Sequence, residues 1–151
     1  MLSKKTRYAM LAMAALAREY AHDNSGDTLS ISRIAESEHI PQRMLEGILL
    51  TLKNKGLLLS TRGKMGGYTL SKRPEDISLL DIVVQFEGSV SMLSCVCNDI
   101  YKPCEFCKDE ASCPIRSTFS GIYRHTVEVL RTTTLADLTA ERQAETQPAA
   151  E

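Results

Sequence analysis

The hydrophobic pattern of the chain divides it into helices separated by short polar breaks. Lys4 to Tyr20 reads as a helix, and Ala9 to Ala17 contain no polar residue, so this helix is expected to be buried on most sides. Asp23 to Asp27 (Asp-Asn-Ser-Gly-Asp) reads as a loop. Ser30 then fits an N-cap, and Ile31, Ile34 and Ala35 form a short helical stripe. The break at Glu38-His39-Ile40-Pro41 places Pro41 in the first turn of the next helix. There Leu45, Ile48, Leu49 and Leu52 recur at i, i+3, i+4 and i+7. Lys53 and Lys55 sit where cations favour a helix end, and Gly56 closes it.

The period then changes. Leu57 to Thr61 and Tyr68 to Leu70 read as two short strands around the Gly-rich, basic turn Arg62-Gly63-Lys64-Met65-Gly66-Gly67. Ser78-Leu79-Leu80-Asp81 resembles a capping box with Ile77 as staple, opening a helix through Ile82, Val83 and Phe86 to Gly88. Cys95 to Cys113 has no apolar period and reads as a loop. Pro114 opens a long last helix with a narrow stripe of Ile115, Phe119, Ile122, Thr126 and Val129. Thr134 caps a short turn through Leu138, and residues 139–151 are polar and expected to be disordered. The predicted fold is mainly α: residues 1–76 form a helix-turn-helix with a two-stranded wing. Residues 77–138 supply a helix, the cysteine loop and the long helix.

Charge changes the picture. The formal net charge is −1, yet Met1–Arg73 carries a net +6 and Pro74–Glu151 a net −7. The basic half is therefore the one expected to meet a polyanion. No apolar run reaches the length of a membrane span. No small-residue cleavage site follows the apolar stretch of Met1–Tyr20, so a cytoplasmic location is expected. All five cysteines lie between Cys95 and Cys113. In a cytoplasmic chain this points to metal or redox chemistry rather than a disulfide framework.

The first half suits DNA. Two short helices joined by a tight turn form a helix-turn-helix, with His39 at the turn position that needs a positive φ. The second helix enters the major groove N-terminus first. Gln42, Arg43 and Met44 occupy that end, and Gln and Arg can make bidentate contacts with adenine and guanine. Arg62, Gly63 and Lys64 at the wing tip allow close approach to a groove. Lys4, Lys5 and Arg7 are placed to hold phosphates. The competing reading is a solvated helix end and an ordinary hairpin.

Leu2-Ser3-Lys4-Lys5-Thr6-Arg7-Tyr8-Ala9, Ile34-Ala35, Leu45-Glu46, Leu52-Lys53-Asn54-Lys55-Gly56-Leu57 and Arg62-Gly63-Lys64-Met65-Gly66-Gly67-Tyr68-Thr69-Leu70 together resemble the Rrf family of winged-helix transcriptional regulators. That family includes iron–sulfur and nitric-oxide sensors. The resemblance covers roughly Met1 to Leu138. It implies a homodimer built on the Ile115–Val129 stripe and a palindromic double-stranded DNA operator. It also places Gln42, Arg43 and Glu46 on the recognition helix and Arg62 in the minor groove.

Cluster-binding members carry three cysteines between the helix after the wing and the long helix. Cys107-x5-Cys113 matches the last pair, and Cys95 matches the first. The interval from Cys95 to Cys107 is longer than usual and contains Cys97 and Cys104. The ligand set is therefore ambiguous: Cys95, Cys104, Cys107 and Cys113 are the candidates, with Cys97 as a possible substitute, and the fourth ligand is either a fourth cysteine or a nearby Asp or Glu. Positions that supply the fourth ligand in other members are Arg7 and Arg116 here, and neither can ligate. A [2Fe–2S] or [4Fe–4S] cluster is favoured. Zinc, for which Cys104-x2-Cys107 is a plausible half-site, and a reversible disulfide switch are the alternatives. Five unreactive core thiols are disfavoured by the polarity of the loop. An adaptor with a degenerate winged helix is the rival function. Enzymatic chemistry is not expected, because His22, His39 and His125 are scattered and no catalytic constellation appears.

Overall fold

The computed structural model describes residues 2–23, 28–63, 66–98, 100–107 and 109–146, with the backbone alone for 21–23 and 141–146. The expected loop after Asp23 and the wing residue Lys64 lie outside the described residues. The elements in chain order are α1 (Lys4–Asp23), α2 (Ile31–Ser37), α3 (Gln42–Asn54), β1 (Leu58–Thr61), β2 (Gly67–Leu70), α4 (Leu79–Glu87), α5 (Pro114–Thr132) and α6 (Leu135–Thr146).

Helix α1 is the hub. Its Ala9, Ala12, Met13, Leu16 and Ala17 are buried with Ile34 of α2, and with Leu45, Ile48, Leu49 and Leu52 of α3. Ile77, Ile82 and Leu135 belong to the same cluster, so one core joins the winged-helix segment to α4 and α6. Fully burying each of these large aliphatic side chains contributes about 1.5–3 kcal/mol. The small alanines of α1 let its neighbours approach closely.

The local signals act as the pattern implies. Ser30 Oγ accepts from the Arg33 N–H at 3.3 Å and caps α2. His39 adopts φ 53°, the left-handed turn between α2 and α3. An ion pair between Arg18 and Glu38 ties α1 to that turn. The Ser78 capping box is complete, with the Asp81 N–H donating to Ser78 Oγ and the Ser78 N–H donating to Asp81.

The wing is an antiparallel pair registering Leu58 with Leu70 and Thr61 with Gly67. Its base is extended by Leu29, which exchanges two backbone hydrogen bonds of 2.9 Å with Tyr68. A Cβ at Gly67 would lie 2.3 Å from the Leu29 carbonyl oxygen, so glycine is required by this contact.

Two expectations are corrected. The last helix does not stop at Leu138. It runs Leu135–Thr146, because Ala, Glu, Arg and Gln after Thr139 are strong helix formers. Thr139 itself is 9% exposed, and its hydroxyl donates to the Ala136 carbonyl at 2.8 Å. The cysteine segment is also not uniformly polar loop. Ser94–Val96 forms a 3₁₀ turn, and Cys95, Val96 and Cys97 are buried. The polar flanks of the segment conceal the burial of these two cysteines.

Helix α5 is the exception to burial. It has 19 residues and none is buried. Ile115, Ile122 and Val129 of the predicted stripe are 61%, 41% and 47% exposed. Phe119 and Thr126 lie half-buried between them.

Candidate DNA face and cysteine pocket

On the DNA side, α3 starts at Pro41 with no side-chain cap. Its positive end therefore opens beside Gln42, Arg43 and Met44, all exposed. Lys5, Arg43 and Met44 line one groove of about 430 Å³ with Gly47, Thr51 and Phe86. The structure thus brings the α1 N-terminus beside the recognition helix. Lys4, Glu46, Arg62 and Gly63 are exposed, and Gly63 takes φ 116° at the wing tip. Arg7 is placed elsewhere. It lies along a separate groove with Met10, Leu11, Arg18, Leu79 and Leu138, because two helical positions rotate it about 200° from Lys5.

In the other half of the chain, Cys95, Cys104, Cys107 and Cys113 line one cavity of about 440 Å³. The 3₁₀ turn holds Cys95, the loop brings Cys104 and Cys107, and the start of α5 presents Cys113. The neighbouring Cys113, then burial and Cys104, push the Cys107 thiol up to about 12. Cys113 is the N-cap of α5. Its sulfur accepts from the Arg116 N–H at 3.5 Å. That bond, followed by the Cys107 contact, lowers its pKa. Such polarisation is expected of a thiol at a helix N-terminus.

Cys97 is not part of this group. It is buried and lies 3.1 Å from Ser89 Oγ. Among the described residues, no three His, Cys, Asp or Glu surround a point as a ready metal site. The pocket thiols must therefore shift to converge on one centre. Four soft cysteine sulfurs lining one cavity, with Lys102 and Arg116 on its wall, nevertheless supply the donor type that a thiolate-held cluster requires.

Several residues of the site have no signal in the local sequence pattern. The Arg116 Nε donates to the Cys95 carbonyl at 3.1 Å, joining the two ends of the cysteine segment. The Tyr101 hydroxyl donates to Glu110 at 2.5 Å, which raises the Tyr101 pKa. Glu87, the last residue of α4, accepts from the Ser3 N–H at 2.8 Å and from the Thr6 hydroxyl. Ser3 to Thr6 has the spacing of a helix cap and hints at half of that cluster. Its partner lies 84 residues from Ser3, beyond the reach of any local pattern.

A helix-turn-helix followed by a two-stranded wing, on one core with a long unburied helix and a cysteine pocket, defines a winged-helix regulator. Residues 2–141 match the family model Rrf2, described as an iron-dependent transcriptional regulator. The chain is 38% identical over 140 residues to an rrf2-like HTH-type transcriptional regulator of Rhodobacter capsulatus, covering 93% of each. It is 33% identical over 144 residues to the HTH-type transcriptional regulator CymR of Bacillus subtilis, covering 95% of this chain and 93% of that one. Among solved structures, IscR of T. potens superposes with TM-score 0.76 at 27% identity, over 99% of this chain and 93% of that one. CymR of B. subtilis, titled the global cysteine regulator, superposes with TM-score 0.76 at 30% identity, over 93% and 97%. The chain belongs to the Rrf2 family of transcriptional regulators. Its relatives are named as regulators and not as enzymes. Among the described residues, no helix is long and apolar enough to cross a membrane.

Proposed function

We propose that this regulator acts as a homodimer on double-stranded DNA and reads its signal through an iron–sulfur cluster held by Cys95, Cys104, Cys107 and Cys113. The observation that carries the reading is the gathering of four of the five cysteines into one cavity at the N-terminus of the unburied helix α5. A bound cluster would supply redox and nitric-oxide-reactive chemistry at this point. The protein's own residues do the rest. Cys113 caps α5 and Arg116 ties it to Cys95, so a rearrangement of the pocket thiols is delivered to that helix. The exposed Ile115, Ile122 and Val129 support a second copy as its cover. Gln42, Arg43 and Met44 would read bases, and Lys4, Lys5 and Arg62 would hold the backbone and minor groove. Gly63 and, outside the described residues, Lys64 would complete the wing tip. Arg7 sits too far round α1 to join Lys5 in its groove, so it would serve only a phosphate on another path.

A second reading has a specific basis, since CymR relatives include a structure titled as an oxidized form. In that case Cys107 and Cys113 would act as a thiol switch without metal.

Anaerobic purification, an absorption spectrum and iron and sulfide assays test the choice. Broad absorption around 300–450 nm with iron and sulfide is expected from the wild type and from Cys97→Ser, and its loss from Cys107→Ser. Colourless wild-type protein that resists reconstitution would refute the cluster reading. Zinc content or a change in free-thiol count on oxidation would then decide between the alternatives.

A further inference from the structure

Helix α1 has an unusual N-terminus. Ser3 acts as its cap, with the Thr6 N–H donating to Ser3 Oγ at 3.2 Å. In a capping box, an acidic residue at the third helical position would return a bond to the cap's own N–H. That position is Thr6 here, too short and uncharged for the role. The carboxylate comes instead from Glu87, which takes the Ser3 N–H at 2.8 Å and the hydroxyl of Thr6. Ser3 and Thr6 hydroxyls lie 2.9 Å apart, and Thr6 is fully buried. The three groups form a closed polar knot at the end of an apolar helix.

Both sides of this knot lead to a functional segment. Lys4 and Lys5 lie between its two α1 members, and Lys5 faces the groove shared with Arg43 and Met44 of α3. On the other side, Glu87 is followed by Gly88 at φ 72°, where the chain leaves α4 for the cysteine segment. A carboxylate at a helix N-terminus is favoured by the helix dipole. Its hydrogen bonds hold the Glu87 pKa below the usual range, with Thr6 the largest cause. Glu87 is therefore charged at neutral pH.

We propose that Glu87 is a positioning residue for DNA binding, a carboxylate lent by the end of α4 that caps α1 and fixes Lys4 and Lys5 against the recognition helix. The inference rests on the reading that these lysines meet DNA phosphates. It makes the joint between α4 and the cysteine segment one of the points at which the sensing half grips the DNA-binding half.

The test uses the full chain, a labelled mixed-sequence duplex of about 30 base pairs and a salt titration. Each phosphate contact contributes about 0.9 to the slope of log affinity against log salt. Glu87→Ala should lower that slope by about 1–2 per protomer, with Glu87→Gln in between because it keeps an acceptor but not the charge. In a Lys4→Ala/Lys5→Ala background, Glu87→Ala should add no further loss. Amide exchange over residues 3–7 should quicken in both Glu87 variants and stay protected in the lysine variant. Melting curves of Glu87→Gln keep a folding defect distinguishable from a lost contact. A Glu87→Ala protein with wild-type slope and wild-type exchange would overturn the role of Glu87 alone. A wild type with no salt-dependent duplex binding would overturn the DNA face, and the role of Glu87 with it.

Discussion

The wing is held in place by one contact too close for any side chain, so Gly67→Ala is a sharp perturbation. The added Cβ would sit 2.3 Å from the Leu29 carbonyl oxygen, 2.5 Å from its carbon and 3.0 Å from the Ser30 nitrogen. All three are backbone atoms, and no rotamer change relieves them. β2 must withdraw by roughly 1 Å to reach ordinary carbon–oxygen contact. That withdrawal breaks or stretches the pair of 2.9 Å hydrogen bonds between Leu29 and Tyr68, each contributing about 1 kcal/mol. The expected loss is therefore about 2 kcal/mol, or about 4–8 °C in Tm for a chain of this size. Denaturant melts measure it. Gly47→Ala is the control: its Cβ meets nothing within 4 Å, and inside helix α3 it should stabilise by about 0.5–1 kcal/mol. Because β2 carries the wing tip, Gly67→Ala should also weaken duplex binding while leaving the cysteine pocket unchanged. A Gly67→Ala protein as stable as wild type would refute the claim that this close approach determines where the wing sits.

Two further predictions follow from charge and exposure. Ile122→Glu places a charge in the middle of the exposed α5 stripe and should shift the protein to monomer in sedimentation, with little change in helical content; a dimer as tight as wild type would remove α5 from the interface. The Glu87 and Asp137 carboxyls are held below their usual range, Glu87 chiefly by the Thr6 hydroxyl and Asp137 chiefly by the Thr134 N–H. The unfolded chain then binds protons more readily, so this stabilisation is complete above the ordinary carboxylate range and is lost as pH falls through the depressed values. Glu87→Gln should flatten the acid limb of stability against pH, and an unchanged limb would show that Glu87 is not clamped.

Much of the DNA-binding half was legible because it rests on local rules. The α3 stripe, the left-handed His39 and the glycine-rich wing each carry their reason within a few residues, as does the Ser78 cap of α4 just beyond that half. The cysteine segment was legible in composition but not in shape. Its spacing singled out Cys95, Cys104, Cys107 and Cys113 but left Cys97 open as a substitute; in the fold Cys97 turns to Ser89 while the other four line one cavity. Arg7 parts company with Lys5 for a related reason. A basic run looks uniform in sequence, but the helix sends Lys5 and Arg7 to different grooves. The extension of α6 beyond Leu138 was missed because a polar, alanine-rich stretch has the composition of a tail as well as of a helix.

Helix α5 can also be considered mechanically. At 1.5 Å per residue its 19 residues make a rod about 28 Å long. One end is gripped by a sulfur, since Cys113 is both a wall of the pocket and the cap of the first turn. The other end is pinned: the Thr133 carbonyl takes the Leu79 N–H at 2.9 Å, and Leu135 donates to Ile77 at 3.0 Å. No residue along it is fully buried, and although α4 packs against it, the named hydrogen bonds that tie it to other segments fall at its two tips. A tilt of about 5° at the pocket would displace the far tip by about 2.5 Å over that length. The Ile77–Leu79 joint, just beyond the wing, is where that displacement would be felt. Chemistry confined to one thiol thus gains leverage over residues most of the molecule away.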